Sequence, residues 1–164
     1  MNADKEHRHG ITIVLADDHR AYRAYLQARL NQEPDMTEVA QAEDGQAAVQ
    51  AVHDLARRSQ APHLVIMDVT MVPMNGMDAT RQILSSHPSV KILALSIHDH
   101  RQFVEAMVQA GASGYALKDD PYADLTRAIR AVAAGQTSFS PGLSLHGSGG
   151  EPPDGLLPLS PTAM

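Results

Sequence analysis

Short apolar runs of strand length alternate along this chain with stretches of helical period, and that alternation constrains the fold more than any other feature. The runs are Ile11 to Ala16, Thr37 to Ala42, Leu64 to Asp68, Lys91 to Ser96 and Ser113 to Leu117. Strands that are apolar almost throughout need cover on both faces, which a parallel sheet with crossover helices supplies. The expected fold class is therefore α/β, a doubly wound (βα)5 unit with a parallel five-stranded sheet.

The punctuation between the runs agrees. A helix from about Arg20 to Leu30 places Tyr22, Leu26 and Leu30 near one face, and Pro34 follows its end. Asp44-Gly45 opens a helix through Ala47, Val49, Val52 and Leu55, and Asn75-Gly76 opens one running to about Ser86, closed by His87-Pro88. Arg101 to Ala110 is predicted helical with Gly111 as its stop. Asp120-Pro121 reads as an N-cap with proline at N1 for a last helix that stops near Gly135.

Three segments are expected: a polar, flexible N-terminus over 1–10, one folded domain over 11–135, and a linker over 136–164. The linker reading rests on "SPGLSLHGSGGEPPDG", a Gly, Ser and Pro composition that buries little surface. With 164 residues a second full domain does not fit. A formal net charge of −6 argues against nucleic acid as this segment's own partner. No stretch is long and apolar enough for a membrane span or a signal peptide, so no membrane partner is expected. The absence of cysteine fits a reducing compartment and a cytoplasmic location. The nine histidines are scattered without transition-metal spacing.

In an open parallel sheet, ligands bind beyond the carboxyl ends of the strands. Asp17 and Asp18 end the first strand, Asp68 the third and Ser96 the fourth, and Lys118 follows the fifth. Three carboxylates converging on one edge repel one another unless a cation offsets them, and a hard oxygen set selects Mg2+. A carboxylate beside Mg2+, an ammonium and a hydroxyl can attack phosphorus and become an aspartyl phosphate.

"VLADDH", "LVIMDV", "MNGMDAT", "ILALS" and "GASGYALK", in this order over about Ile11 to Gly135, resemble the receiver domain of two-component response regulators, in particular the NarL/FixJ subfamily. The resemblance implies a flavodoxin-like fold and a phosphoacceptor role for Asp68. It implies Mg2+ held by Asp17, Asp18 and Asp68 with the backbone carbonyl of Thr70, Asp18 being the more direct ligand of the pair. It also implies Lys118 as the phosphate-binding lysine, Ser96 as the switch hydroxyl and Tyr115 as the aromatic that turns inward with it. The implied partners are a sensor histidine kinase, a second copy in a homodimer, and DNA only through a LuxR-type helix-turn-helix domain, whose opening "LSP" is resembled at Leu159 to Pro161. A receiver is a signalling phosphoacceptor, limited to self-phosphorylation and slow self-dephosphorylation.

Three positions depart from the family's pattern. Val72 stands where proline is usual, with Pro73 after it; Arg20 replaces a proline after "DDH"; and Ile97 is bulkier than the small residue of fast-hydrolysing relatives. Slow loss of phosphate is the expected result of the last.

Other readings of the same residues stand beside this one. Asp17 and Asp18 could cap a helix, Tyr115 could simply pack, and the methionines Met67, Met71, Met74 and Met77 suit core filling. His98 and His100 are expected on the surface, with His98 lying over the phosphate as a lesser alternative. A haloacid-dehalogenase-type phosphohydrolase would share the aspartyl nucleophile and Mg2+, but it calls for an acid two residues later, where Thr70 stands.

Overall fold

The computed structural model describes residues 10–143. In chain order the elements are β1 (Ile11–Ala16), α1 (Arg20–Leu30), β2 (Met36–Ala42), α2 (Gly45–Arg57), β3 (Leu64–Met67), α3 (Gly76–Ser86), β4 (Lys91–Ser96), α4 (Arg101–Ala110), β5 (Gly114–Leu117), α5 (Tyr122–Ala133) and β6 (Ser138–Phe139). The strands form one parallel sheet in the order β2-β1-β3-β4-β5-β6. This is the doubly wound flavodoxin-like arrangement, and its order reverses beside β1 and β3, where ligand crevices form.

Strand alternation divides the core in two. Val14, Ala16, Val65, Met67, Ile92 and Ala94 face α2, α3 and α4 through Val52, Ile83, Val104 and Met107. Ile13, Leu15, Ile66, Leu93 and Leu95 face α1 and α5 through Leu26, Leu30, Leu125, Ile129 and Val132. Burying both faces of the strands drives the assembly, at about 25 cal/mol per Å² of apolar surface removed from water. Met67 and Met71 are buried and Met74 and Met77 pack against that core, so the methionines are filling.

Local signals start and stop the helices as expected in most cases. Asp44 and Asn75 cap α2 and α3 by accepting from Ala47 N and Asp78 N, both at 2.8 Å. Gly111 ends α4 at φ 113°, a conformation that an L side chain resists. Gly76 serves by bareness rather than by φ, because a β-carbon there would collide with the carbonyl oxygen of Asp68. The loop after β3 thus folds directly onto the acceptor candidate's backbone. Within it the Val72–Pro73 bond is cis.

Two expectations need correction. The sheet has a sixth strand: Ser138–Phe139 adds parallel to β5, so residues 136–143 do not start a free linker. Backbone hydrogen bonds to the open edge of β5, together with burial of Leu143, secure a segment whose composition alone would not fold. Asp120 does not cap α5. Pro121 takes the cap position with no side-chain bond, and Asp120 turns back to accept from Leu117 N at 3.1 Å. The N-terminus over 1–9, the rest of the linker and the "LSP" segment lie outside the described residues. Among the described residues no helix is long and apolar enough to cross a membrane.

Candidate functional site

The carboxyl ends of β1 and β3 lie side by side, with Ala16 opposite Met67 in the register, so the residues that follow them are brought together. Asp17 and Asp68 are each only 2 % exposed, whereas Asp18 is exposed. Lys118, after β5, reaches both buried acids: its Nζ lies 2.7 Å from Asp17 Oδ2 and 3.6 Å from Asp68 Oδ2. The first is a hydrogen-bonded ion pair. The second gives charge compensation without a hydrogen bond, and Asp68 Oδ2 has no hydrogen-bond partner at all.

This shortage appears in the titration of Asp68. Burial, reinforced by the negative charge of Asp17, pushes its carboxyl up from 3.8 to about 6, against the opposing pull of Lys118. Asp17 is better served, because its Oδ1 accepts from His19 N at 2.8 Å while its Oδ2 takes the lysine. His19 Nδ1 lies 3.2 Å from Asp17 Oδ1 and 3.1 Å from Asp18 Oδ1. Carboxylate oxygens of Asp17, Asp18 and Asp68 and a ring nitrogen of His19 all lie within 4.8 Å of one another, a grouping that could hold a metal ion.

A second cluster sits at the end of β4. Ser96 is fully buried and its Oγ accepts from His98 N at 3.0 Å. Tyr115, also fully buried, donates its hydroxyl to His98 O at 2.7 Å. Burial pushes that phenol up to about 12, so it stays a donor at neutral pH. The ring of Tyr115 is already turned inward, and one residue, His98, ties hydroxyl and phenol together. His98 is half-buried and stacks on Phe103 at 4.5 Å between ring centroids, contrary to its expected exposure; His100 is exposed.

The structure thus gathers Asp17, Asp18, Asp68 and Lys118 at one point, with Ser96 at the end of β4 and Tyr115 within the neighbouring β5. Thr70 is exposed two residues past Asp68. Of the three departures, Val72 and Ile97 are 78 % and 69 % exposed, leaving two apolar side chains uncovered on the loops that follow β3 and β4. Arg20 lines an open pocket of about 520 Å³ with Asp18, Arg23, Gln41 and Glu43.

Sequence reasoning missed His19, Tyr22 and Asp120. Tyr22 reads as an apolar-face residue, yet Lys118 Nζ lies 4.7 Å from its ring centroid, a cation–π distance. Nothing in the spacing of residues 22 and 118 signals that pairing. Asp120 carried a signal, but it fitted a helix cap equally well.

Comparison with known proteins places this geometry. The response regulator receiver domain model matches residues 13–130. The chain is 38 % identical over 131 residues to the transcriptional regulatory protein DegU of Brevibacillus brevis, covering 80 % of this chain and 53 % of DegU. It is 39 % identical over 126 residues to the oxygen regulatory protein NreC of Staphylococcus epidermidis, covering 76 % of this chain and 56 % of NreC. It therefore spans about half the length of the curated relatives it matches. A LuxR-family two-component response regulator from an Aurantimonas species has a similar crystal structure, with a TM-score of 0.74 and 32 % identity over 82 % of this chain and 93 % of that one. With a match over most of the chain and no acid at Thr70, the phosphohydrolase alternative has no support. The chain belongs to the response regulator receiver domain family, of LuxR/NarL type, a signalling family rather than one of enzymes.

Proposed function

We propose that this chain accepts a phosphoryl group on Asp68 in a Mg2+-dependent step and responds by rearranging the Ser96 and Tyr115 region. The observation that carries the reading is the condition of Asp68: a buried carboxylate with an oxygen that no donor satisfies, beside a second buried acid and a lysine. Such an oxygen keeps its lone pairs for reaction, and burial of an acid in this state is costly unless something else repays it.

The donor set fits Mg2+. It offers carboxylate oxygens, and the orphaned Oδ2 has no hydrogen-bond donor and only the Lys118 charge at 3.6 Å, which leaves its lone pairs open to a cation. Asp17, Asp18 and Asp68 would hold the ion with the Thr70 carbonyl. Asp18 is the freer of the pair, since both oxygens of Asp17 are already engaged. When bound, Mg2+ supplies positive charge that offsets the charge on the transferring oxygens.

In the transfer, an Asp68 oxygen bonds to phosphorus as the bond to the donor's leaving group breaks, the electron pair departing with that group. Lys118 is placed to follow the negative charge outward from Asp17 and Asp68 onto the phosphoryl oxygens, and Tyr22 restrains its approach. Ser96 accepts from His98 N and has its own proton to donate to a phosphoryl oxygen once the loop shifts. Tyr115 grips the same loop through His98 O, so the two residues form one bistable element.

The phosphodonor is then a sensor histidine kinase, the working form includes a homodimer, and DNA is reached only through a further domain in the intact regulator, with transcription as the output. The location is cytoplasmic. Ile97, exposed beside Ser96, slows attack of water on the phosphate.

Incubation with acetyl phosphate and Mg2+, followed by intact mass measurement, tests the reading. One phosphate adduct is expected, absent in Asp68→Asn and in EDTA. An adduct that persists in Asp68→Asn, or forms equally in EDTA, overturns the assignment.

A further inference from the structure

Residues 138–143 lie as a strap along β5, the strand that carries Tyr115 and leads into Lys118. Ser138 N donates to Ser113 O at 3.2 Å and Ser140 N to Tyr115 O at 2.9 Å. Leu143, 1 % exposed, drops into the same apolar cluster as Tyr115 and Leu117, and Phe139 packs against that cluster. The strap is therefore part of the folded unit.

Its polar contact is more specific. Ser140 Oγ donates to Asp120 Oδ1 at 3.0 Å and accepts from Gly142 N at 3.1 Å. The other oxygen of Asp120 accepts from Leu117 N at 3.1 Å, and Asp120 N donates to Leu117 O at 3.1 Å. Leu117 to Asp120 thus form a turn closed from both directions by Asp120, and Lys118 lies within it. A β-carbon at Gly142 would come within 3.2 Å of Leu117 Cδ1 and 3.8 Å of Asp120 Oδ1, so the chain passes directly over this tie. Lys118 N is held in turn by Ser96 O at 2.9 Å. The lysine's backbone is fixed on one side by the end of β4 and on the other by a carboxylate anchored to the strap.

Asp120 is not part of the metal grouping, and its hydrogen bonds close the turn that carries Lys118, so its shortest route to phosphoryl transfer runs through that lysine. We propose that Asp120 is a positioning residue for Lys118, with Ser140 as its anchor, so that the strap sets how the lysine reaches Asp68. The same tie works in reverse: when the lysine moves toward a phosphoryl group, the turn pulls on Ser140 and the strap. This rests on the phosphoacceptor reading above and adds the route by which the segment after α5 takes part.

The test uses the full chain with Ser140→Ala, Asp120→Asn and the double variant. Three measurements are made: the rate of phosphorylation by acetyl phosphate in Mg2+, the NMR shifts of the Lys118 side chain, and the melting temperature. Loss of the tie is expected to slow the maximal rate roughly three- to tenfold with little change in the acetyl phosphate concentration needed for half that rate. The Lys118 side-chain signals should move, and the double variant should be no slower than the slower single. Unchanged rates and Lys118 shifts with a lowered melting temperature would reduce the strap to a structural element and overturn the inference, as would additive losses in the double variant. Ser140→Ala removes a single hydroxyl and decides the matter alone if Asp120→Asn does not fold. Asp68→Asn run alongside keeps the two ideas apart: phosphate uptake by that variant defeats the phosphoacceptor reading itself, whereas uptake confined to Asp68 with variants at the wild-type rate defeats only the positioning role.

Discussion

Asp35 and Asp68 each face a cation, yet they are held in opposite states. Asp35 lies at the surface between α1 and β2, where Arg130 donates to both its oxygens, from Nε at 2.9 Å and from a terminal nitrogen at 3.1 Å; the same terminal nitrogen donates to Glu33 at 3.0 Å. That fork holds the Asp35 carboxyl below the usual carboxylate range. Asp68 is buried, shares its lysine with Asp17, and keeps one oxygen unsatisfied, so its carboxyl is raised to about 6. One carboxylate is saturated with donors and serves to dock α5 on the loop before β2. The other is left wanting, a condition that suits the phosphoacceptor role proposed for it.

The comparison is sharpened most by removing the cation at each place. Lys118→Ala should lower the acetyl phosphate reaction rate by about a hundredfold, because a preorganised charge near the transferring oxygens is lost. A time course of intact mass reads this, and a change under threefold would separate Lys118 from the chemistry.

Next in size is the stability that Asp68 withholds. Asp68→Asn should stabilise the metal-free fold by about 1–3 kcal/mol, measured by urea denaturation in EDTA at pH 7. The pH dependence follows from the same cause. With its folded value at about 6 and its ordinary value at 3.8, the folded state binds this proton more readily than the unfolded chain. Stability from this group is therefore fully present below the ordinary value and is lost as pH rises through about 6. Asp35 has the opposite sign, its contribution being present above the ordinary value and lost as pH falls through the depressed one. Subtracting the denaturation profile of Asp68→Asn from that of wild type isolates the first effect, and a flat difference between pH 4 and 7 would remove the contrast.

The smallest effect belongs to the well-formed pair. Arg130 and Asp35 are each 44 % exposed at the side chain, so solvent screens them. Arg130→Ala should cost less than about 1 kcal/mol and should leave phosphorylation unchanged.

Much of this architecture is legible from residue order, because strands apolar on both faces and helices with clear stops leave little choice of fold. The acids at the ends of the first and third strands are legible for the same reason: in such a sheet, strand ends meet. The sixth strand is not, since Ser138 and Phe139 stand in a stretch rich in Gly, Ser and Pro, and their pairing depends on an edge of β5 that only the folded sheet offers. Asp120 followed by proline has the form of a helix cap, yet a free amide at Leu117 and a hydroxyl at Ser140 compete for its oxygens and win. That Lys118 sits closer to Asp17 than to Asp68 is likewise a matter of three-dimensional approach, on which spacing along the chain is silent.

The most direct test of the central claim is to locate the phosphate chemically. Acyl phosphates are reduced by borohydride, which converts an aspartyl phosphate to homoserine. After acetyl phosphate and Mg2+ treatment, reduction and proteolysis, peptide mass spectrometry should find homoserine at position 68 and aspartate at positions 17 and 18. Homoserine at 17 or 18, or at none of the three in a protein that has gained phosphate, would contradict the account.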